Sequence, residues 1–313
     1  MWRDVEPRSI ERDRPEPGRG RVGGSADVES ISRSGDPRDV FTRDLELPRG
    51  SGRERVRANG REYRVSGEDV RVLATVGAFR VVPASDLREP SPRTPTRPAR
   101  DLERLRDLGL VSTTPYVLGR NRTTLVTLTK EGRGLLEQNR SREAGGPRQP
   151  FHVGISKPRE LAHDARVYSA YMRAAEKHLD RGEPIRRVVL EEELKRDYQR
   201  FLQQENRARR EGHEPTHDKT EAVARWANDQ QLPFDDGHVR LPDARLEYED
   251  RDGRRSFEDI EVVTPHYRGA HAAAKVRAGF SCYRAVGARL GGLRTSGSSG
   301  RGINPRLAEE LLQ

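Results

Sequence analysis

Two β-prone stretches around a basic turn set the tightest limit on how this chain folds. Val111-Ser112-Thr113-Thr114 and Thr124-Leu125-Val126-Thr127-Leu128 flank Gly119-Arg120-Asn121-Arg122, which predicts a hairpin. Helical patterns precede it. Ser66-Gly67-Glu68-Asp69 reads as a capping box with Asp in place of Glu, and Val70, Leu73, Ala74 and Gly77 then recur at helical spacing. Pro83 to Leu87 starts a second short helix, and a Pro-rich spacer runs to Pro98. Ala99 to Leu108 predicts a third helix, with Leu102, Leu105 and Leu108 on its buried side and Gly109 as its stop. Lys130 to Asn139 predicts a closing helix. Three helices and a hairpin in this order are the plan of a winged helix, here over residues 66–140.

The rest of the chain is organised around that unit. Charged residues are 35% of the 313 and hydrophobic ones 32%, too few apolar side chains for one large core, so part of the chain is expected to stay solvated. Residues 1–38 predict a disordered tail and 39–65 a docking segment built on Val40-Phe41 and Leu45-Glu46-Leu47. Residues 141–155 predict a linker. A second, α/β domain with a small mixed sheet is expected over 156–290. Pro158 starts its first helix, striped by Leu161, Ala165, Tyr168, Met172, Ala175 and Leu179. Ile185 to Leu190 predicts a strand, and 191–236 a helical insertion. Val239 to Asp250 and Ser256 to Thr264 predict a hairpin, and His271 to Val286 a helix. Residues 291–313 predict a flexible tail. The fold class is α+β or α/β.

Several chemistries are excluded. The single cysteine, Cys282, permits no internal disulfide framework and no cysteine-based zinc site, and its apolar neighbours Phe280 and Tyr283 predict a core thiol. No apolar run is long enough for a bilayer and no secretory signal opens the chain, so a cytoplasmic protein without membrane contact is expected. His213-Glu214-Pro215-Thr216-His217 matches H-E-x-x-H, but Pro215 breaks the continuous helix that zinc proteolysis needs.

Charge points to a polyanion. The 59 basic residues outnumber 50 acidic ones, and only six of them are lysine. Residues 67–150 hold 15 basic and 10 acidic side chains, a balance of +5. Arginine suits phosphate and base recognition. Arg97 just before the third helix, Arg100 and Arg104 on it, and Arg120 and Arg122 at the hairpin tip are the candidate contacts to double-stranded DNA. In the second domain, Asp243 and Glu261 fall on the two strands of the predicted hairpin. They are candidate Mg²⁺ ligands for phosphodiester hydrolysis, with Lys275 to orient water and Glu160, Asp164 or Glu192 as additional donors. Ordinary surface acidity accounts for the same spacing. His266, Tyr267, Arg268 and His271 are candidates for phosphate contact or proton transfer.

These residues resemble a known family, the replication-relaxation proteins of plasmids and integrative conjugative elements, over roughly residues 65–290. Leu105-Arg106-Asp107-Leu108-Gly109-Leu110-Val111 and Leu128-Thr129-Lys130-Glu131-Gly132 resemble its recognition and post-wing helices. Leu161-Ala162-His163-Asp164 with Val167-Tyr168, Pro242-Asp243 with Glu258-Asp259-Ile260-Glu261-Val262, and Lys275 with Tyr283 resemble parts of its second domain. The resemblance implies a winged helix joined to a PD-(D/E)XK-like domain whose last strand follows the closing helix. Such nucleases carry lysine two positions after the strand acid, where this chain has Val263, so Lys275 would be a migrated substitute. The implied function is a DNA-binding accessory protein of a mobile element, without an obligatory cofactor. The alternatives are an Mg²⁺-dependent nicking nuclease and an adaptor that recruits a relaxase without DNA affinity of its own.

Overall fold

The computed structural model describes residues 36–87, 97–118, 121–142, 147–155, 158–211, 218–263 and 275–284, with the side chains of 97–100 and 284 excepted. The tail over 291–313, the motif at 213–217 and the group His266, Tyr267, Arg268 and His271 lie outside the described residues, as does nearly all of the tail over 1–38. Within the described residues no helix is long and apolar enough to cross a membrane.

The chain is a mixed α+β protein with small sheets. A 3₁₀ turn at Asp39–Thr42 leads to strands β1 (Glu54–Ala58) and β2 (Arg61–Val65), then α1 (Gly67–Phe79), β3 (Val82–Pro83), α2 (Arg97–Asp107), β4 (Val111–Leu118), β5 (Asn121–Leu128) and α3 (Lys130–Gln138). There follow a 3₁₀ turn at Pro158–Glu160, α4 (Leu161–Asp180), β6 (Ile185–Leu190), α5 (Glu191–Arg210) and α6 (Lys219–Asp229). The last elements are β7 (Phe234–Asp235), β8 (His238–Val239), β9 (Ala244–Glu249), β10 (Arg255–Val263) and β11 (Ser281–Arg284).

Local chemistry explains the first half. Ser66 and Asp69 close the capping box of α1 in both directions. Thr129 caps α3 by accepting from the Gly132 N–H. A Cβ on Gly132 would lie 2.2 Å from the Leu110 carbonyl oxygen, so only glycine lets α3 approach that close. β4 and β5 form the expected antiparallel hairpin, and β3 adds to the other edge of β5. That pairing replaces the helix expected from Pro83. Val82–Pro83 is an edge strand, where a residue without an N–H is tolerated, and residues 84–87 form a turn.

The second half is a four-stranded sheet in the order β6-β9-β10-β11. β9 is antiparallel to both β6 and β10, and β11 runs parallel to β10. The helix expected through His271–Val286 therefore ends early. Gly279 turns the chain at φ +90°, and Ser281–Arg284 becomes the last strand.

Both halves share one core. Phe79 of α1 packs on Tyr168 and Tyr171 of α4 at ring-centroid distances of 5.0 and 4.9 Å, and Phe41 lies 5.5 Å from Phe79 and from Tyr171. The Tyr171 hydroxyl donates to the Pro37 carbonyl at 2.7 Å. Residues 39–65 do more than dock. Phe41, Leu45, Val56, Tyr63 and Val65 are buried in this core, and β1–β2 is a hairpin with register Ala58↔Arg61. Within the linker expected over 141–155, Phe151 is buried, and the buried Gln149 side chain exchanges two 3.0 Å hydrogen bonds with the Val188 backbone.

Candidate functional site

The predicted DNA-contacting arginines separate into distinct environments. Arg122 is exposed near the β4–β5 tip, opposite Val117, which is 59% exposed. Arg120 and the side chains of Arg97 and Arg100 lie outside the described residues. Arg104 is partly exposed and engaged within the protein. It pairs with the buried Asp69 and donates to the Arg64 carbonyl at 2.9 Å. The cause is the β1–β2 hairpin, which lies along this side of α2 and brings both the Arg64 carbonyl and Arg53, paired with Asp101 at 3.0 Å, against it.

The acidic residues of the second half do converge. Ile260 pairs with Ala244, and Glu261 with Cys282, so the antiparallel register sets Asp243 beside Glu261 at one end of the sheet, with Cys282 on the far side. Asp243 accepts from the Val262 N–H at 2.7 Å through one oxygen, and its other oxygen lies 3.1 Å from His163 Nε2. Lys275 Nζ donates to Glu261 at 2.9 Å and to the Leu241 carbonyl at 2.8 Å. The Glu261 side chain is only 2% exposed. The three residues named from sequence are thus neighbours.

His163 and Arg80 complete the site. A cavity of about 40 Å³ is lined by Arg80, Glu160, His163, Asp164, Glu192 and Asp243, among others. Arg80 caps α1 with φ +67° and pairs with Glu192 at 2.9 Å. That backbone angle is sterically uncommon outside glycine. Burial opposes charge on the His163 ring, but its hydrogen bond and attraction to Asp243 outweigh this and raise its pKa. Burial raises the Asp164 carboxyl. Burial, then the neighbouring Glu261 charge, push the Cys282 thiol up to about 11, so it carries no thiolate at neutral pH. A signal for His163 exists in Leu161-Ala162-His163-Asp164 at a helix start. For Arg80 there is none, because its partner lies more than a hundred residues away.

These groups are engaged with one another and with the backbone. Asp243 is engaged by His163 and a backbone N–H, and Glu261 by an ammonium. Among the described residues no three His, Cys, Asp or Glu side chains form a group able to hold a metal ion. The Lys275 ammonium supplies a positive charge at Glu261.

A larger cavity, of about 540 Å³, opens beside His178, Glu258 and Asp259, but these three side chains are engaged internally. His178 bridges Glu183 and Glu258 at 2.7 Å each, and Asp259 is held bidentately by Arg245.

No family model, curated protein or solved structure matches this chain.

Proposed function

We propose that this chain is a DNA-binding accessory protein of a plasmid or integrative conjugative element, built as a winged helix joined to a PD-(D/E)XK-like domain. The observation that carries the reading is the convergence of Asp243, Glu261 and Lys275 at one end of the β9–β10 pair, with the last strand following Lys275. A three-stranded meander closed by a strand parallel to its third member supports the resemblance of the second half to that nuclease fold. The order α1, α2, β4–β5, α3, with Arg122 exposed at the hairpin, supports a winged helix in the first half.

The role favoured is binding rather than cleavage. Glu261 is compensated by the Lys275 ammonium, Asp243 is held by His163 and a backbone N–H, and Val263 stands where a nuclease of this kind carries lysine. The second domain would serve contacts to DNA or to a relaxase. Fluorescence anisotropy on a labelled duplex tests the reading. Affinity should fall steeply between about 50 and 200 mM salt through counterion release, and Arg122→Ala should weaken it. An affinity indifferent to both would overturn the proposal.

The same convergence favours one second reading, a divalent-metal nicking nuclease. Incubating supercoiled plasmid with Mg²⁺ or Mn²⁺ separates the two. Nicking that disappears in Asp243→Asn would establish the nuclease, and an intact plasmid in both metals would exclude it.

A further inference from the structure

The longest exposed helix carries a feature that the site above does not use. On α5, Arg196, Arg200, Arg207 and Arg210 recur at spacings of four, seven and three residues, which at 100° per residue places them within about 80° of arc. All four are exposed. The side chains of Arg200 and Arg207 are 60% and 81% accessible. The row is about 21 Å long at 1.5 Å per residue.

The opposite side of α5 fixes the rotation of the helix. Leu194 is buried. Tyr198 and Phe201 pack on Trp226 of α6 at 5.0 and 5.6 Å. This aromatic clasp holds the guanidinium row toward solvent. Carboxylates border the row, Glu193 beside Arg196 among them. Asp197 pairs with Arg200 at 2.9 Å and Glu211 with Arg207 at 2.7 Å, and exposed pairs of this kind are weak and readily exchanged. From Lys195 to Arg210 the helix has six basic and two acidic residues, a balance of +4.

We propose that this face of α5 is a second, sequence-independent contact to the phosphate backbone of duplex DNA. The inference rests on the DNA-binding reading above and adds a site to it. Charge complementarity names the occupant: a rigid, one-sided row of guanidinium groups suits a line of phosphates. Such contacts set affinity and its salt dependence and carry no base readout.

The test compares the full chain with a variant in which Arg196, Arg200, Arg207 and Arg210 are all glutamine, and with one in which all four are lysine. Anisotropy is read on two unrelated duplexes over a salt series, with helical circular dichroism as the folding control. The glutamine variant should lose affinity at least tenfold on both duplexes. Its log–log salt slope should be shallower by about 3 to 4, at ~0.9 per phosphate contact. The lysine variant should keep the slope, since an ammonium neutralises a phosphate equally. If wild-type protein binds and the glutamine variant keeps its slope, the α5 site is overturned while the DNA-binding reading stands. Loss of slope in the lysine variant as well would also overturn it. A wild-type protein without DNA affinity would overturn both.

Discussion

At the scale of single residues, buried charges make the sharpest predictions. Lys275 is the ammonium beside a carboxylate that is 2% exposed. Lys275→Met should lower stability by about 3 kcal/mol, because breaking one side of a buried pair strands the other charge; urea unfolding measures it. Glu193 behaves in the opposite sense. Burial lifts its carboxyl from 4.5 to about 7. Between those values the unfolded chain has lost the proton and the folded chain keeps it. Stability therefore falls as pH rises from about 4.5 to about 7, and the deficit persists above that. Glu193→Gln should flatten this slope in urea midpoints taken from pH 4.5 to 8. For Glu258, burial is outweighed by hydrogen bonds from His178, Ser281 and Tyr283, which hold the carboxyl near 2. Its stabilisation is complete above about 4.5 and is lost as pH falls toward 2. Glu258→Gln should remove that part of the acid sensitivity. The positions of Asp243, Glu261 and Lys275 were legible in the sequence as residue types on a hairpin and a following segment. Their hydrogen-bond partners were not, since these depend on which oxygen Lys275, His163 and the Val262 N–H each reach.

At the scale of elements, caps and periodicity foretold α1, α3, α4, β6 and the β4–β5 hairpin. The β1–β2 hairpin had a signal that its charged surroundings obscured. Asn59-Gly60 is a two-residue turn with φ of +51° and +74°, a pair of angles favoured in hairpins. Val56, Ala58, Tyr63 and Val65 are buried while their neighbours Arg55, Arg57, Glu62 and Arg64 are exposed. Arginine at alternate positions reads as solvated chain until the apolar partners are seen to share a face. This hairpin captures Arg104, with a testable consequence. Arg104→Ala should cost about 2 kcal/mol, in the range of a hydrogen bond to a charged group, and should leave the salt slope of DNA binding unchanged. A fall in slope by about 1 would return Arg104 to the DNA surface. β11 was missed for a different reason. Four residues are too few to show a period, and only pairing alongside Ile260–Val263 makes them a strand.

At the scale of the whole molecule, residues from both halves meet around Phe41, Phe79, Tyr168 and Tyr171. Tyr171→Ala should remove about 3–5 kcal/mol, as for other buried aromatic truncations. Because the core is common, one cooperative transition is expected, with far-ultraviolet circular dichroism and tryptophan fluorescence coinciding. Two separated transitions would show that the halves fold independently. What this amino-acid order determined unaided is local: where helices begin, which runs prefer to extend, and where positive charge collects, because capping, steric preference and charge act between near neighbours in the chain. Tertiary structure alone decided which arginine faces solvent and which is spent on Asp69, that Arg80 enters the acidic cavity, and that the two halves close over a single core. Those outcomes turn on contacts between residues tens to more than a hundred positions apart, and nothing in a local pattern encodes such a meeting until the chain has packed.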